Sequence, residues 1–179
     1  MVTTTAIRIT AVVALVAIAG VTAGGWYVRR EQFAQLVTAA GAVDEVLDQW
    51  HADRAAILAD LPSAHYRTQA VEQRAAVRLQ RMTASTITAL DAATARVRRV
   101  RVVLPWNAAV EVARDSYLHH VDRWSGYLER IVDEPVAGLD EPPPALTASR
   151  NAAAAALDDA MPPFAGDELR QRVSALLSH

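Results

Sequence analysis

The chain has 179 residues, a net charge of −2, no cysteine, and basic side chains that are all arginine. The faint negative balance excludes a generally nucleic-acid-binding surface, and the missing cysteine excludes both a disulfide framework and a thiolate metal site. Hydrophobic residues make up 52% of the chain and aromatic ones only 6%, an alanine-heavy share that suits long helices better than a β-sandwich, so the expected class is all-α. Alanine excess with arginine in place of lysine looks like the codon bias of a GC-rich genome, and a bacterial source is the expectation.

Residues 1–8 are a short polar lead ending in Arg8. Residues 9–28 (ITAVVALVAIAGVTAGGWYV) carry no charge. At about 1.5 Å of rise per residue, some twenty helical residues cover roughly 30 Å, the hydrocarbon thickness of a bilayer. Trp26 and Tyr27 followed by Arg29 and Arg30 have the order of an interfacial belt and a charged anchor. Small residues at Ala17, Ala19, Val21 and Ala23 also offer signal-peptidase sites, but the apolar run continues past them, longer than a usual signal core, which favours an uncleaved signal anchor. The expected location is therefore the cell membrane, with a single span and the soluble domain on the extracytoplasmic side. With only about eight residues before the span, a signalling output on that side would need a partner chain.

From Glu31 to Leu61 a seven-residue repeat sets Phe33, Ala40, Leu47, Arg54 and Leu61 in one register and Leu36, Val43, Trp50 and Ile57 in the other. That is the stripe of a bundle or coiled-coil helix, expected to continue out of the membrane without a break and to end at Pro62. A second helix is expected from about Arg67 to Leu104 on Leu79, Thr83, Thr86, Leu90, Ala93, Val97 and Val100, with the Thr/Ser run 83–88 as either a hinge or a polar core layer. The apolar phase slips at Pro105, so a reversal is expected there. A third helix then runs from an N-capping Asn107 to Val132 on Val110, Ala113, Tyr117, Val121, Trp124, Leu128 and Ile131. Residues 138–144 (GLDEPPP) read as a loop, Thr147–Met161 as a short alanine-rich helix, and a last helix starts at Gly166 and Asp167 with Leu169, Val173, Leu176 and Leu177 on one side.

The expected architecture is a single N-terminal transmembrane helix continuing into an elongated antiparallel three- to four-helix bundle. It divides into a lead (1–8), a signal anchor (9–28), a long-helix bundle (29–133), a Pro-rich loop (134–146) and short C-terminal helices (147–179). Segment 30–61 carries two arginines against six acids, whereas 62–105 carries eight arginines against Glu72 and Asp91. One account is simple complementarity between neighbouring helices, in which each exposed pair contributes roughly 0 to 1 kcal/mol. Helix-rise arithmetic gives a sharper one. A first helix climbing from Arg30 and a second returning from Arg67 come back to the starting level near Val97 and Arg98. Arg96, Arg98, Arg99, Arg101 and Trp106 would then join Trp26, Arg29 and Arg30 in a surface facing lipid headgroups, where each basic residue contributes about 1 kcal/mol near anionic lipid.

No phosphate loop, nucleophile elbow or zinc motif is present, so no catalytic activity and no cofactor are expected. Asp115, His119 and His120, with Asp48 and His51 on the first helix, are the one cluster with metal-ligand chemistry, but the paired Glu-x-x-His pattern of bundle metal sites is missing. The expected role is a non-catalytic interaction, scaffold or accessory subunit whose partners are membrane lipid and another protein. The competing reading is an extracytoplasmic small-molecule sensor or solute-binding bundle with its pocket near Trp50, Tyr117 and Trp124.

Overall fold

A computed structural model describes residues 3–63, 68–103 and 107–176, with side chains from position 25 onward. The described residues are all-helical, without a strand. Five α-helices follow one another: α1 (Thr3–Ala59), α2 (Gln69–Arg98), α3 (Ala108–Asp133), α4 (Pro144–Ala160) and α5 (Asp167–Leu176), with a 3₁₀ turn at Pro135–Leu139 between α3 and α4. The expected span at 9–28 lies, except for its last four residues, outside the part whose side chains are described, as do Arg67, Leu104, Pro105 and Trp106. Among the described residues no helix is long and apolar enough to cross a membrane.

The backbone of α1 is one helix of 57 residues. Its 3-4 stripe supplies the centre of the core: Phe33, Leu36, Ala40, Val43, Leu47, Trp50 and Ile57 are buried. Antiparallel α2 adds Leu79, Leu90, Ala93 and Val97 against it, and α3 covers both with Val110, Ala113, Tyr117, Val121, Trp124, Leu128 and Ile131. The Thr/Ser run does not break α2. Ser85 and Thr86 return their hydroxyls to the Met82 carbonyl, at 2.7 and 3.1 Å, so they are satisfied inside the helix, while Thr83 is fully buried.

Two boundaries and one cap differ from expectation, each for a local reason. α2 stops at Arg98, six residues before Leu104, because the chain beyond it bonds elsewhere: the Val103 N–H donates to Gln32 Oε1 at 3.2 Å. Asn107 sits at the N-cap position of α3 but makes no capping bond; its Nδ2 donates instead to the same Gln32 oxygen. α4 begins at Pro144, not Thr147, since proline at the first helical position loses no helical hydrogen bond.

Past α3 the chain folds into the 3₁₀ turn, which lies against α2 and α3 and is tied to α1 by Arg54. Arg54 Nε donates to the Gly138 carbonyl at 2.9 Å, and its Nη2 reaches the carbonyls of Leu139 and Asp140. A Cβ on Gly138 would stand 2.6 Å from Leu79 Cδ2 and 2.8 Å from Ile131 Cγ2, so only glycine fits this approach. α4 then descends along α3 through Leu146, Ala153 and Leu157, and α5 climbs back along α1 through Leu169 and Val173.

Candidate functional site

Two places collect chemistry: the end of the bundle from which α1 continues towards the N-terminus, called the foot below, and a cavity midway up. At the foot, Gln32 is the buried tie. Its amide oxygen accepts from Val103 and Asn107, which holds the α2–α3 connection against α1. The α4–α5 turn closes on the same level. Trp26 and Phe164 rings lie 5.7 Å apart, Arg29 Nη2 donates to the Ala160 carbonyl at 3.3 Å, and Gly166 lies beside the Arg30 guanidinium. Ala160 ends α4, so Arg29 also sits at the negative end of that helix dipole.

Arg96 and Arg99 line a groove with Glu31 and Gln35, at the level where helix rise returns α2 to the start of the bundle. Arg30, Arg96, Arg98, Arg99 and Arg101 are exposed, whereas Arg29 is half-buried against α4. Arg98 pairs with Asp122 of α3 at 3.5 Å, not with an acid of α1; both side chains are largely exposed, so the pair contributes little. Around these arginines the foot carries exposed apolar side chains: Trp26, Tyr27 at 71%, Val28, Val103 and Phe164 at 80%. Phe164 escaped the sequence reading because it lies in a Pro/Gly turn without periodicity; its only signal is a large aromatic residue after two prolines.

The cavity, of about 70 Å³, lies between α1, α3, α4 and the end of α5. α1 supplies Asp44, Leu47, Asp48 and His51, α3 supplies Tyr117, His120 and Trp124, and α4 supplies Arg150, Ala153, Ala154 and Leu157. Tyr117 donates its hydroxyl to Asp44 Oδ1 at 2.5 Å and lies 2.9 Å from the Ala40 carbonyl. Burial, then the Asp44 carboxylate, raises the Tyr117 pKa well above its ordinary value, so the phenol stays protonated and bridges α1 to α3. His120 Nδ1 lies 2.9 Å from Ser149 Oγ of α4. Burial, then the Arg150 and His119 charges, lowers the His120 pKa to about 4, so the ring is neutral near neutral pH.

The structure therefore brings Asp48, His51 and His120 to one cavity but turns His119 and Asp115 outward. Asp115 is paired with its neighbour Arg114 at 3.0 Å. Among the described residues no three of His, Asp and Glu are grouped as a metal ion requires. Of the three aromatic residues expected around a pocket, Tyr117 and Trp124 line it, while Trp50 is fully buried behind them. Trp50 donates Nε1–H to Thr83 Oγ1 at 3.0 Å, packs edge-on to Trp124 and His51, and has the Arg54 guanidinium 5.8 Å from its ring centre.

No protein-family model, no curated protein and no solved structure matches the chain.

Proposed function

We propose that this protein is a single-pass bacterial membrane protein whose non-catalytic bundle stands on the bilayer outside the cytoplasm and acts by contact, with lipid at its foot and a protein partner above. The observation that carries this reading is the coincidence at one end of the bundle. Five of the seven exposed large hydrophobic side chains among the described residues, Trp26, Tyr27, Val28, Val103 and Phe164, gather there. They share that end with exposed Arg30, Arg96, Arg99 and Arg101, at the point where α1 continues into the uncharged sequence 9–28. Aromatic rings and arginines at one height suit a membrane interface: the rings sit at headgroup depth and the guanidiniums meet lipid phosphate.

The chain has no cysteine, so single cysteines report cleanly. Phe164→Cys places a dye at the foot, and Val136→Cys places one in the 3₁₀ turn near Arg54, about 37 Å further along α1 from Arg29. In bilayers carrying headgroup nitroxides, the dye at 164 is expected to be strongly quenched and the dye at 136 not. Equal quenching sinks the lipid-facing foot. Labelling of the 136 variant in intact cells by a membrane-impermeant maleimide is expected, and its absence would place the bundle on the cytoplasmic side.

A further inference from the structure

The groove between α1 and α2 at the foot carries opposite charges that do not meet. α1 presents the Glu31 carboxylate and α2 the Arg96 and Arg99 guanidiniums, all exposed. No ion pair joins Glu31 to either arginine, and neither arginine side chain has a hydrogen bond or ion pair with any described residue. Glu31 Oε1 accepts from Gln35 Nε2 at 3.1 Å, which leaves the second carboxylate oxygen and the Gln35 carbonyl oxygen as acceptors on the α1 wall. Thr38, further along that wall, is already satisfied: its hydroxyl donates to the Ala34 carbonyl at 2.8 Å and accepts from Arg172 at 2.7 Å. One wall is therefore cationic and donating, the other anionic and accepting.

We propose that this groove holds the headgroup of a phosphoethanolamine lipid, with its phosphate on Arg96 and Arg99 and its ammonium on Glu31 and Gln35. The headgroup reaches the groove only on the lipid-facing foot proposed above, on which the assignment rests. A guanidinium fork matches phosphate oxygens with parallel hydrogen bonds, and an ammonium brings three donors to the acceptors of the α1 wall. Helix rise returns α2 to the height of Glu31, so the two charges lie at one level, as they do in a headgroup lying along the bilayer surface. A phosphoglycerol lipid would set the same phosphate before Glu31 with nothing to compensate the carboxylate. A phosphocholine lipid has no N–H to donate to it. Size agrees: if benzene's six carbons occupy a ~150 Å³ cavity, the headgroup's roughly eight non-hydrogen atoms need about 200 Å³. The groove, of about 420 Å³, is wide enough because Ala34, Ala39 and Ala42 line it with methyl groups only.

Native mass spectrometry of the full chain, released from bilayers of equal phosphatidylethanolamine, phosphatidylcholine and phosphatidylglycerol, tests it. The ethanolamine lipid is expected to be retained about fivefold or more over each of the others, the discrimination that one exposed ion pair supplies. Glu31→Gln is expected to bring the ethanolamine lipid down to the choline level, and Arg96→Gln combined with Arg99→Gln to reduce retention of all three. These positions are exposed, so the helical circular dichroism is expected to stay unchanged. Equal retention of the ethanolamine and choline lipids overturns the proposal, as does phosphatidylglycerol held as strongly as the ethanolamine lipid. So does an ethanolamine preference that survives Glu31→Gln or the loss of both arginines, or no retained lipid at all. The Phe164→Cys dye in the same bilayers separates the two readings. Any of these failures with the dye quenched leaves the lipid-facing foot standing, whereas an unquenched dye with no retained lipid removes both.

Discussion

The Trp50 indole sits at the centre of the bundle with a single polar atom, and Thr83 on α2 answers it. Thr83→Val keeps the shape and removes the acceptor, which leaves a buried N–H without a partner at a cost of about 1 to 3 kcal/mol. Thr83→Ser should recover most of that. Urea midpoints of the three proteins check it, and a valine variant as stable as the parent would mean that the bond contributes nothing. Thr83 was legible as a core position because it falls on the α2 stripe; its partner, 33 residues away, was not, since no local pattern encodes a contact between helices. His120 is the second residue with a measurable signature. Its folded pKa is about 4 against an ordinary 6.5, so as pH falls from 6.5 to 4 the unfolded chain takes up a proton that the folded one refuses. Its contribution to stability is therefore complete above about pH 6.5 and is lost progressively down to about pH 4, by an amount of order 3 kcal/mol. The same denaturation at pH 7 and pH 4.5 should show a steeper loss in the parent than in His120→Gln; identical slopes would remove the residue from the acid response.

Among the elements, the five α-helices were readable and the 3₁₀ turn was not, for a physical reason. A 3-4 apolar stripe is written in consecutive residues, so Phe33 to Ile57 and Val110 to Ile131 announced both a helix and its buried face. The 3₁₀ turn at Pro135–Leu139 has no such period, and its sequence reads as a break and a loop. What fixes it is tertiary: Arg54, the one charged residue on an apolar register of α1, reaches its carbonyls, and Gly138 lets its backbone touch Leu79 and Ile131. Arg54 thus looked like a defect in the repeat and is the tie of an element 84 residues later. Gly138→Ala would force a methyl into two fully buried side chains, and overpacking of this kind costs about 1 to 3 kcal/mol. A thermal midpoint unchanged by that substitution would show that the turn can lift away freely.

For the molecule as a whole, helix rise and the chain reversals set Arg96 and Arg99 at the level of Arg29 and Arg30, because length along a helix is also height, and the groove they line with Glu31 lies at that level. The two partners of the other features could not be anticipated this way. Phe164 reaches Trp26, and Arg150 faces Asp44 and Asp48, only because α4 and α5 run down and up the outside of the three long helices. α1 itself has a further consequence. A rod without a swivel transmits rotation as well as position, so the facing of every flank of the bundle is locked to the segment upstream of Gly25. Each alanine inserted after Gly24 would turn the bundle by about 100° and raise it by about 1.5 Å, and seven would restore its facing to within about 20° while lifting it about 10 Å. On the proposed membrane placement with a protein partner, crosslinking to that partner should vanish with two added residues and return in part with seven. The spacing of that recovery would measure, in degrees, how narrowly the neighbour constrains the azimuth of the bundle.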